Sequence, residues 1–226
     1  MRKINIAVLG TIGVGKTTLL HNIEKKLLET TDSVVVKAEP SVTIPFINDV
    51  LKHFYNDNKA WALPLQLCIS AAQEAYFQEL RESDYEYALM DMPFSSDIYS
   101  YSHFKRGRMS GAGHSSLVGL GSEFPFDMVI LINEDKETTI DRVSGRNRKA
   151  NSGTLDNGQD DIAIEDYSYL DEHIADFKEY QDVWMTRFKS DNPNVIIEEL
   201  NHIPDIDSPA YGKLISYIAK KIETLR

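Results

Sequence analysis

The sequence predicts an α/β fold in which a parallel β-sheet is covered by helices on both faces, and two observations carry that prediction. Five short apolar runs alternate with segments of helical spacing along the 226 residues. Alternation of this kind needs crossover connections, and these bury both faces of a parallel sheet. The run Gly10-Thr11-Ile12-Gly13-Val14-Gly15-Lys16-Thr17 also fits every fixed position of the phosphate-cradling P-loop. It stands between a strand-like run and a helix-like one, the order that a P-loop NTPase fold demands.

Each element has its own signal. Lys3 to Leu9 reads as a buried strand, and Thr17 to Glu29 places Leu19, Leu20, Ile23 and Leu27 at helical spacing. Ser33 to Lys37 is a second strand that ends at Glu39-Pro40, where proline forces extended geometry. Helical spacing returns at Ile47, Val50, Leu51 and Phe54, then from Pro64 to Leu80, with the proline expected at the helix start. Tyr87 to Met90 and Asp127 to Ile132 are the third and fourth strands, and a helix follows from about Lys136 to Arg148. Leu170, Ile174, Phe177, Trp184 and Phe188 mark a long helix, Val195 to Leu200 a fifth strand, and Leu214 to Leu225 a closing amphipathic helix. Residues 106–123, with five glycines, and 149–161, rich in Asn, Gly and Asp, break the pattern. Both are expected to be loops, either lids or binding segments or disordered insertions with no role.

Length and a 42% hydrophobic content suit one domain with a sizeable core. The formal net charge of −11 disfavours a nucleic-acid polymer or an anionic membrane as partner, so any phosphate binding is expected to be local. Cys68 is the only cysteine and lies in an apolar helical pattern, which reads as a packed thiol. No apolar run approaches a membrane span, and the start at Met1-Arg2-Lys3 lacks a signal-peptide pattern. A cytoplasmic location is the expectation.

The chemistry is concentrated in a few places. Glycines let the P-loop backbone turn its N–H groups inward, while Lys16 supplies a mobile charge and Thr17 a hydroxyl suited to Mg²⁺. Asp91 ends the third strand, where the carboxyl edge of a parallel sheet lies beside the P-loop. An acid there can serve as a general base or a Mg²⁺ partner. Arg142, Arg146 and Arg148 follow the fourth strand, and the first two share a helical face. Arginines on a closable segment meet the charge that phosphoryl transfer spreads over the equatorial oxygens. Gln66 and Gln73 sit two helical turns apart, with Tyr55 and Trp61 just upstream. An amide pairs bidentately with a base edge, and aromatic walls complete a nucleobase pocket. For Gln73 the alternative is a solvent-facing helical position.

In the P-loop, Glu39-Pro40, Phe54 to Trp61 leading to Leu65-Gln66, Asp91 followed by Ser96-Asp97, Arg142 through Arg148, and Tyr169 to His173, the chain resembles the deoxyribonucleoside kinase family over nearly its whole length. The resemblance implies a five-stranded parallel sheet, an arginine-bearing lid at about 142–165, and a homodimer. It implies that Gly10 to Thr18 bind the phosphates of a donor NTP such as ATP, with Thr17 and Asp91 holding Mg²⁺. Glu39 would lie near the deoxynucleoside 5′-hydroxyl, Tyr55 at the 3′-hydroxyl, Gln66 on the base and Asp97 at the base edge. Asp91 would be the general base, with Lys16, Arg142, Arg146 and Arg148 stabilising the transferring phosphoryl group. Glu165, Asp160 or Asp161 would assist Tyr55, and the donor base would pack near His202 to Asp207.

Two departures stand out. The family's arginine directly after the acid is replaced by Met92-Pro93, with Arg106 and Arg108 as substitutes from the glycine-rich stretch. Gln73 stands where some members carry a base-reading arginine. A deoxynucleoside monophosphate kinase of the thymidylate type and a catalytically silent nucleotide-binding relative remain the alternatives. A GTPase is disfavoured, because Ile132-Asn133-Glu134-Asp135 is a poor guanine-reading motif.

Overall fold

The computed structural model describes residues 2–118, 124–151 and 167–226, without side chains for 145–151, 167–173 and 176. Five parallel strands form one sheet in the order β2-β3-β1-β4-β5. They are β1 (Ile4–Gly10), β2 (Val34–Lys37), β3 (Tyr87–Asp91), β4 (Met128–Ile132) and β5 (Ile196–Leu200). The central strand is buried throughout and apolar but for Asn5, because it is covered on both faces, and alternate residues serve different cores. Ile4, Ile6 and Val8 join a layer completed by α1 (Lys16–Leu27) and α9 (Pro209–Glu223). Ala7 and Leu9 join the opposite layer, which Phe77, Ile98, Phe177 and Met185 complete. These come from α4 (Asn58–Glu82), α5 (Ser95–Lys105) and α8 (Tyr167–Asp191).

The register decides where the site lies. Val8 pairs with Asp91 and Gly10 with Ile132, so the chain leaves β1, β3 and β4 side by side at one edge of the sheet. Their loops begin with the P-loop, with Met92 and with Asn133. Such a carboxyl edge is where open α/β sheets bind ligands. Glu39 lies two residues beyond Lys37, the partner of Met90, at the same edge.

Three expectations need correction, and one helix, α5, had no sequence signal. Helix α4 begins at Asn58, six residues before Pro64, because Asp57 caps it by accepting from the Ala60 N–H at 3.1 Å. Pro64 is therefore an interior proline. The glycine-rich stretch contains a helix, α6 (Gly111–Val118), whose Leu117 packs with Met109 and Leu65 in a third cluster. Packing overrides the glycines' weak propensity: a Cβ on Gly113 would sit 3.3 Å from Leu63, so glycine permits the close approach of α6 to α4. Helix α5 carries no apolar periodicity because it is enclosed by α4, α6 and α8, with Ser96, Ser100 and Ser102 all buried. Finally, α7 (Lys136–Asn151) continues past Arg148 into the stretch expected to be loop. The two remaining short helices are α2 (Pro40–Thr43) and α3 (Pro45–Asn56). Among the described residues no helix is long and apolar enough to cross a membrane.

Leu89 is fully buried in the central sheet, whereas Val183 on α8 is 59% exposed. Leu89→Ala is expected to cost about 2–5 kcal/mol in urea denaturation, and Val183→Ala less than about 0.5 kcal/mol. Equal losses at the two positions would contradict this burial pattern.

Candidate active site

The P-loop turns through Gly13 at φ 78° and Gly15 at φ 92°, left-handed values that side-chain-bearing residues rarely adopt. At Gly13 space is also lacking, since a Cβ would stand 2.4 Å from Val143 Cγ2 of α7. The loop therefore leans on α7 on one side and opens α1 on the other, with Gly15 at the helix N-cap. The first turn of α1 contains no acid, so its unpaired N–H groups and positive dipole end favour an anion. Lys16 is only 7% exposed and curls back to donate to the Thr11 carbonyl at 3.1 Å.

Asp91 reaches the same loop from β3. Its Oδ2 accepts from the Thr17 hydroxyl at 2.7 Å, while its Oδ1 is buried and accepts no hydrogen bond among the described residues. Burial pushes this carboxyl above the ordinary carboxylate range, against the opposing pull of Lys16, the Thr17 hydroxyl and His21. An uncompensated buried oxygen of this kind needs a cation or a donor from a ligand. The Thr17 hydroxyl and Asp91 are hard oxygen donors and fit Mg²⁺, which is bound by few protein ligands and completed by phosphate.

Met92 follows Asp91 in a left-handed conformation, with φ 51°, and is fully buried. Such strain persists only where the surroundings hold it. The Met92 N–H donates to the Val8 carbonyl at 3.0 Å, and its own carbonyl accepts from Gln73 Nε2 at 2.7 Å. Gln73 Nε2 also donates to Ser95 Oγ at 2.8 Å, and Ser96 Oγ donates to Gln73 Oε1 at 3.4 Å. Gln73 is thus buried, not solvent-facing, and its amide secures the turn after Asp91. Arg106 and Arg108 lie beyond the far end of α5, roughly 16 Å along its axis from Ser95 at 1.5 Å per residue. The turn beside Asp91, where the family's arginine was expected, is filled by Met92 and held by Gln73.

Two turns earlier than Gln73, on nearly the same face of α4, stands Gln66. Gln66 is 2% exposed, its Nε2 is 3.5 Å from His103 Nε2, and its Oε1 is buried and unsatisfied among the described residues. Ser96 Oγ donates to the Gln66 carbonyl at 3.5 Å. Phe54 packs on His103 with ring centroids 5.0 Å apart, and Tyr55 follows Phe54 on α3. Trp61 stacks on His53 at 4.7 Å. Asp97 belongs to another face of α5, where Arg187 and Tyr180 of α8 feel its charge. Burial raises its carboxyl to about 6, with Arg187 opposing. The α5 side chain that reaches Gln66 and Gln73 is Ser96, one residue before Asp97.

Arg142 points at the P-loop from α7. It donates to the Val14 carbonyl at 3.1 Å and the Ile203 carbonyl at 2.9 Å, and it pairs with Glu134 at 3.1 Å. Glu134 also takes His202 Nδ1 at 3.0 Å and the Ile203 N–H at 3.1 Å. His202 and Ile203 are thus tied to the P-loop through Glu134 and Arg142. The backbone of Arg146 and Arg148 continues α7, while their side chains, Asp160, Asp161, Glu165 and the lid tip lie outside the described residues.

Sequence reasoning missed Ser96, His103 and Glu134. Ser96, Ser100 and His103 at i, i+4 and i+7 form a polar stripe on one helical face, a signal that an apolar-moment reading ignores. Glu134 follows β4 as Asp91 ends β3, so an acid at a strand's carboxyl end was legible there too.

The sheet order, the P-loop, and an acid and a lysine meeting beneath it define a P-loop phosphotransferase architecture. A family model for deoxynucleoside kinases matches residues 6–158, and the chain belongs to that family of phosphotransferases. Its curated relative, the deoxyadenosine/deoxycytidine kinase of Bacillus subtilis (strain 168), is 27% identical over 153 residues, covering 64% of this chain and 66% of that protein, just under two-thirds of its length. Structures of deoxyadenosine kinase from M. mycoides superpose at TM-score 0.66 with bound dCTP and 0.68 with bound dATP. They cover 98% and 97% of this chain and all of theirs, at 17% identity, a likeness that speaks for the fold.

The folded protein holds the Asp91 proton more tightly than the unfolded chain does, so stability falls as pH rises from the ordinary Asp value toward the raised one. Asp91→Asn is expected to raise Tm at neutral pH and to reduce that fall in melts across the acid range. A lower Tm than wild type at neutral pH would refute it. Gln73→Leu strands the Met92 carbonyl and is expected to cost about 1–3 kcal/mol in chemical denaturation.

Proposed function

We propose that this chain transfers the γ-phosphate of ATP, or another NTP, to the 5′-hydroxyl of a deoxyribonucleoside. The observation that carries this reading is the Asp91 carboxylate, buried beside Lys16 and Thr17 with one oxygen still in need of a partner. As general base, Asp91 takes the proton of the 5′-hydroxyl while its oxygen bonds to the γ-phosphorus. The bond from that phosphorus to the β–γ bridging oxygen breaks, releasing NDP and dNMP. Lys16 meets the charge on the transferring group, together with Arg146 and Arg148 on α7. Thr17 and Asp91 would hold Mg²⁺, which supplies positive charge at the phosphate oxygens when bound.

On the acceptor side, Glu39 is assigned to the 5′-hydroxyl, Tyr55 with Glu165 to the 3′-hydroxyl and Gln66 to the base. The unsatisfied Gln66 Oε1 calls for a donor, and its amide nitrogen has a second hydrogen to give. Adenine and cytosine both present an amino group beside a ring-nitrogen acceptor, and the relatives named above are deoxyadenosine and deoxyadenosine/deoxycytidine kinases. Deoxyadenosine and deoxycytidine are therefore the acceptors of this reading. A homodimer in the cytoplasm belongs to the same reading and rests on the family resemblance.

Incubation with ATP, Mg²⁺ and matched panels of the four deoxynucleosides and their monophosphates tests it. Phosphorylation of deoxyadenosine or deoxycytidine is expected, and product from monophosphates alone would reject the proposal. Asp91→Asn is expected to lower kcat by about 10²–10⁴-fold with modest change in KM. Because the active base is ionised, kcat should rise with pH through an acid limb lying above the ordinary carboxylate range. Full activity of Asp91→Asn would remove the acid from the mechanism.

A further inference from the structure

Glu134 is a deeply enclosed charged group outside the reaction centre, with a side chain 1% exposed. Its two oxygens are divided between two tasks. Oε1 takes His202 Nδ1, and Oε2 takes both the Ile203 N–H and the Arg142 guanidinium. Arg142 closes the circuit, because its second nitrogen donates to the Ile203 carbonyl and its first to the Val14 carbonyl. A planar fork of donors can hold a carboxylate and two carbonyls at once, and an ammonium cannot do so in that geometry.

The Val14 carbonyl matters because of the peptide plane it belongs to. In a trans peptide the C=O and the following N–H point in opposite directions. No peptide bond among the described residues is cis. With the Val14 oxygen drawn outward to α7, the Gly15 N–H faces the other way, toward the concave side of the loop. Gly15, at φ 92°, accepts that orientation without a side-chain penalty. One turn away, Gly13 touches Val143 so closely that no Cβ fits between them. The middle of α7 therefore holds two consecutive bends of the P-loop from behind.

We infer that Glu134 is a positioning residue: it orients Arg142 on the Val14 carbonyl, keeps the Gly15 amide turned into the phosphate site, and ties the segment after β5 to the P-loop. The inference rests on the reading of the P-loop as the donor-phosphate site, and on no assumption about the acceptor. It also gives Arg142 a task on the P-loop backbone that differs from the phosphoryl contact implied by the resemblance.

Tripolyphosphate with Mg²⁺ is the discriminating probe, since it carries the donor's charge and no base. Calorimetric binding of tripolyphosphate, ATP and deoxyadenosine is to be compared for wild type, Glu134→Gln, Arg142→Lys and the double variant. Each single variant is expected to weaken tripolyphosphate by about tenfold or more. The double variant should lose little beyond the weaker single, as groups acting through one contact do. Deoxyadenosine affinity should be unchanged, a split that general loss of structure would not produce. If Glu134→Gln fails to fold, the Arg142→Lys measurement decides alone, because lysine retains the ion pair and gives up a carbonyl. Tripolyphosphate affinity within twofold of wild type in a folded variant, or additive losses in the double, would overturn the inference. Failure of deoxyadenosine to bind wild type at all would count against the acceptor reading, and the tripolyphosphate comparison would still judge Glu134.

Discussion

The contact between Thr17 and Asp91 is the interaction on which the rest of the site depends. It joins the end of β3 to the start of α1 across the central strand, so the phosphate loop and the acid that works with it share one geometry. The parallel register makes the contact possible, because Val8 and Asp91 are neighbours and the loops leaving their strands are adjacent. It also sets an electrostatic condition. A carboxylate buried this deeply is stable as an anion only with positive charge nearby, and Lys16 lies close enough to lower its pKa. Burial still dominates, which leaves Asp91 a stronger base than an exposed aspartate. A group that costs the folded state something when ionised is suited to taking a proton during a reaction.

The turn after Asp91 shows how one missing residue is compensated. Where the family resemblance calls for an arginine, this chain has a buried methionine in a left-handed conformation, held by its backbone hydrogen bonds. Gln73 supplies the hold from α4, and Ser95 and Ser96 continue the same small polar network inside an otherwise apolar layer. Satisfied buried networks of this kind specify one arrangement of the backbone. The network also separates two glutamines that look equivalent on the helix. Gln73 gives both of its amide hydrogens to the protein, whereas Gln66 keeps an oxygen without a partner among the described residues. The Gln66 oxygen keeps its full acceptor capacity, whereas the Gln73 oxygen already accepts from Ser96.

The two sides of the site are built differently. The donor side rests on the sheet edge and on α7, with the backbone at Gly13, Val14 and Ile203 pinned by close packing and by the Glu134–Arg142 pair. The acceptor side rests on a separate cluster formed by α3, α4 and α6, away from both sheet faces. The P-loop is therefore held from two sides, by the sheet register and by α7. On the proposed reading, base recognition rests on helix–helix packing around Gln66, with Ser96 and His103 of α5 against it.

Local sequence determined the strands, the P-loop, the acid at Asp91 and the helical face carrying Gln66. These follow from period, glycine placement and the residue types that strand ends require, all of which act over short separations. The tertiary structure alone decided that Gln73 serves the backbone, that Ser96 rather than Asp97 meets the glutamines, and that Arg142 reaches Val14 with Glu134 behind it. Helix α5 was illegible for a related reason: enclosed by three helices and exposed only near its end, at Phe104 and Lys105, it carries no apolar stripe. Periodicity reports whether a residue faces the interior. It carries no record of which buried donor a given acceptor will meet, because partners such as Glu134 and Ile203 are brought together only when the sheet closes.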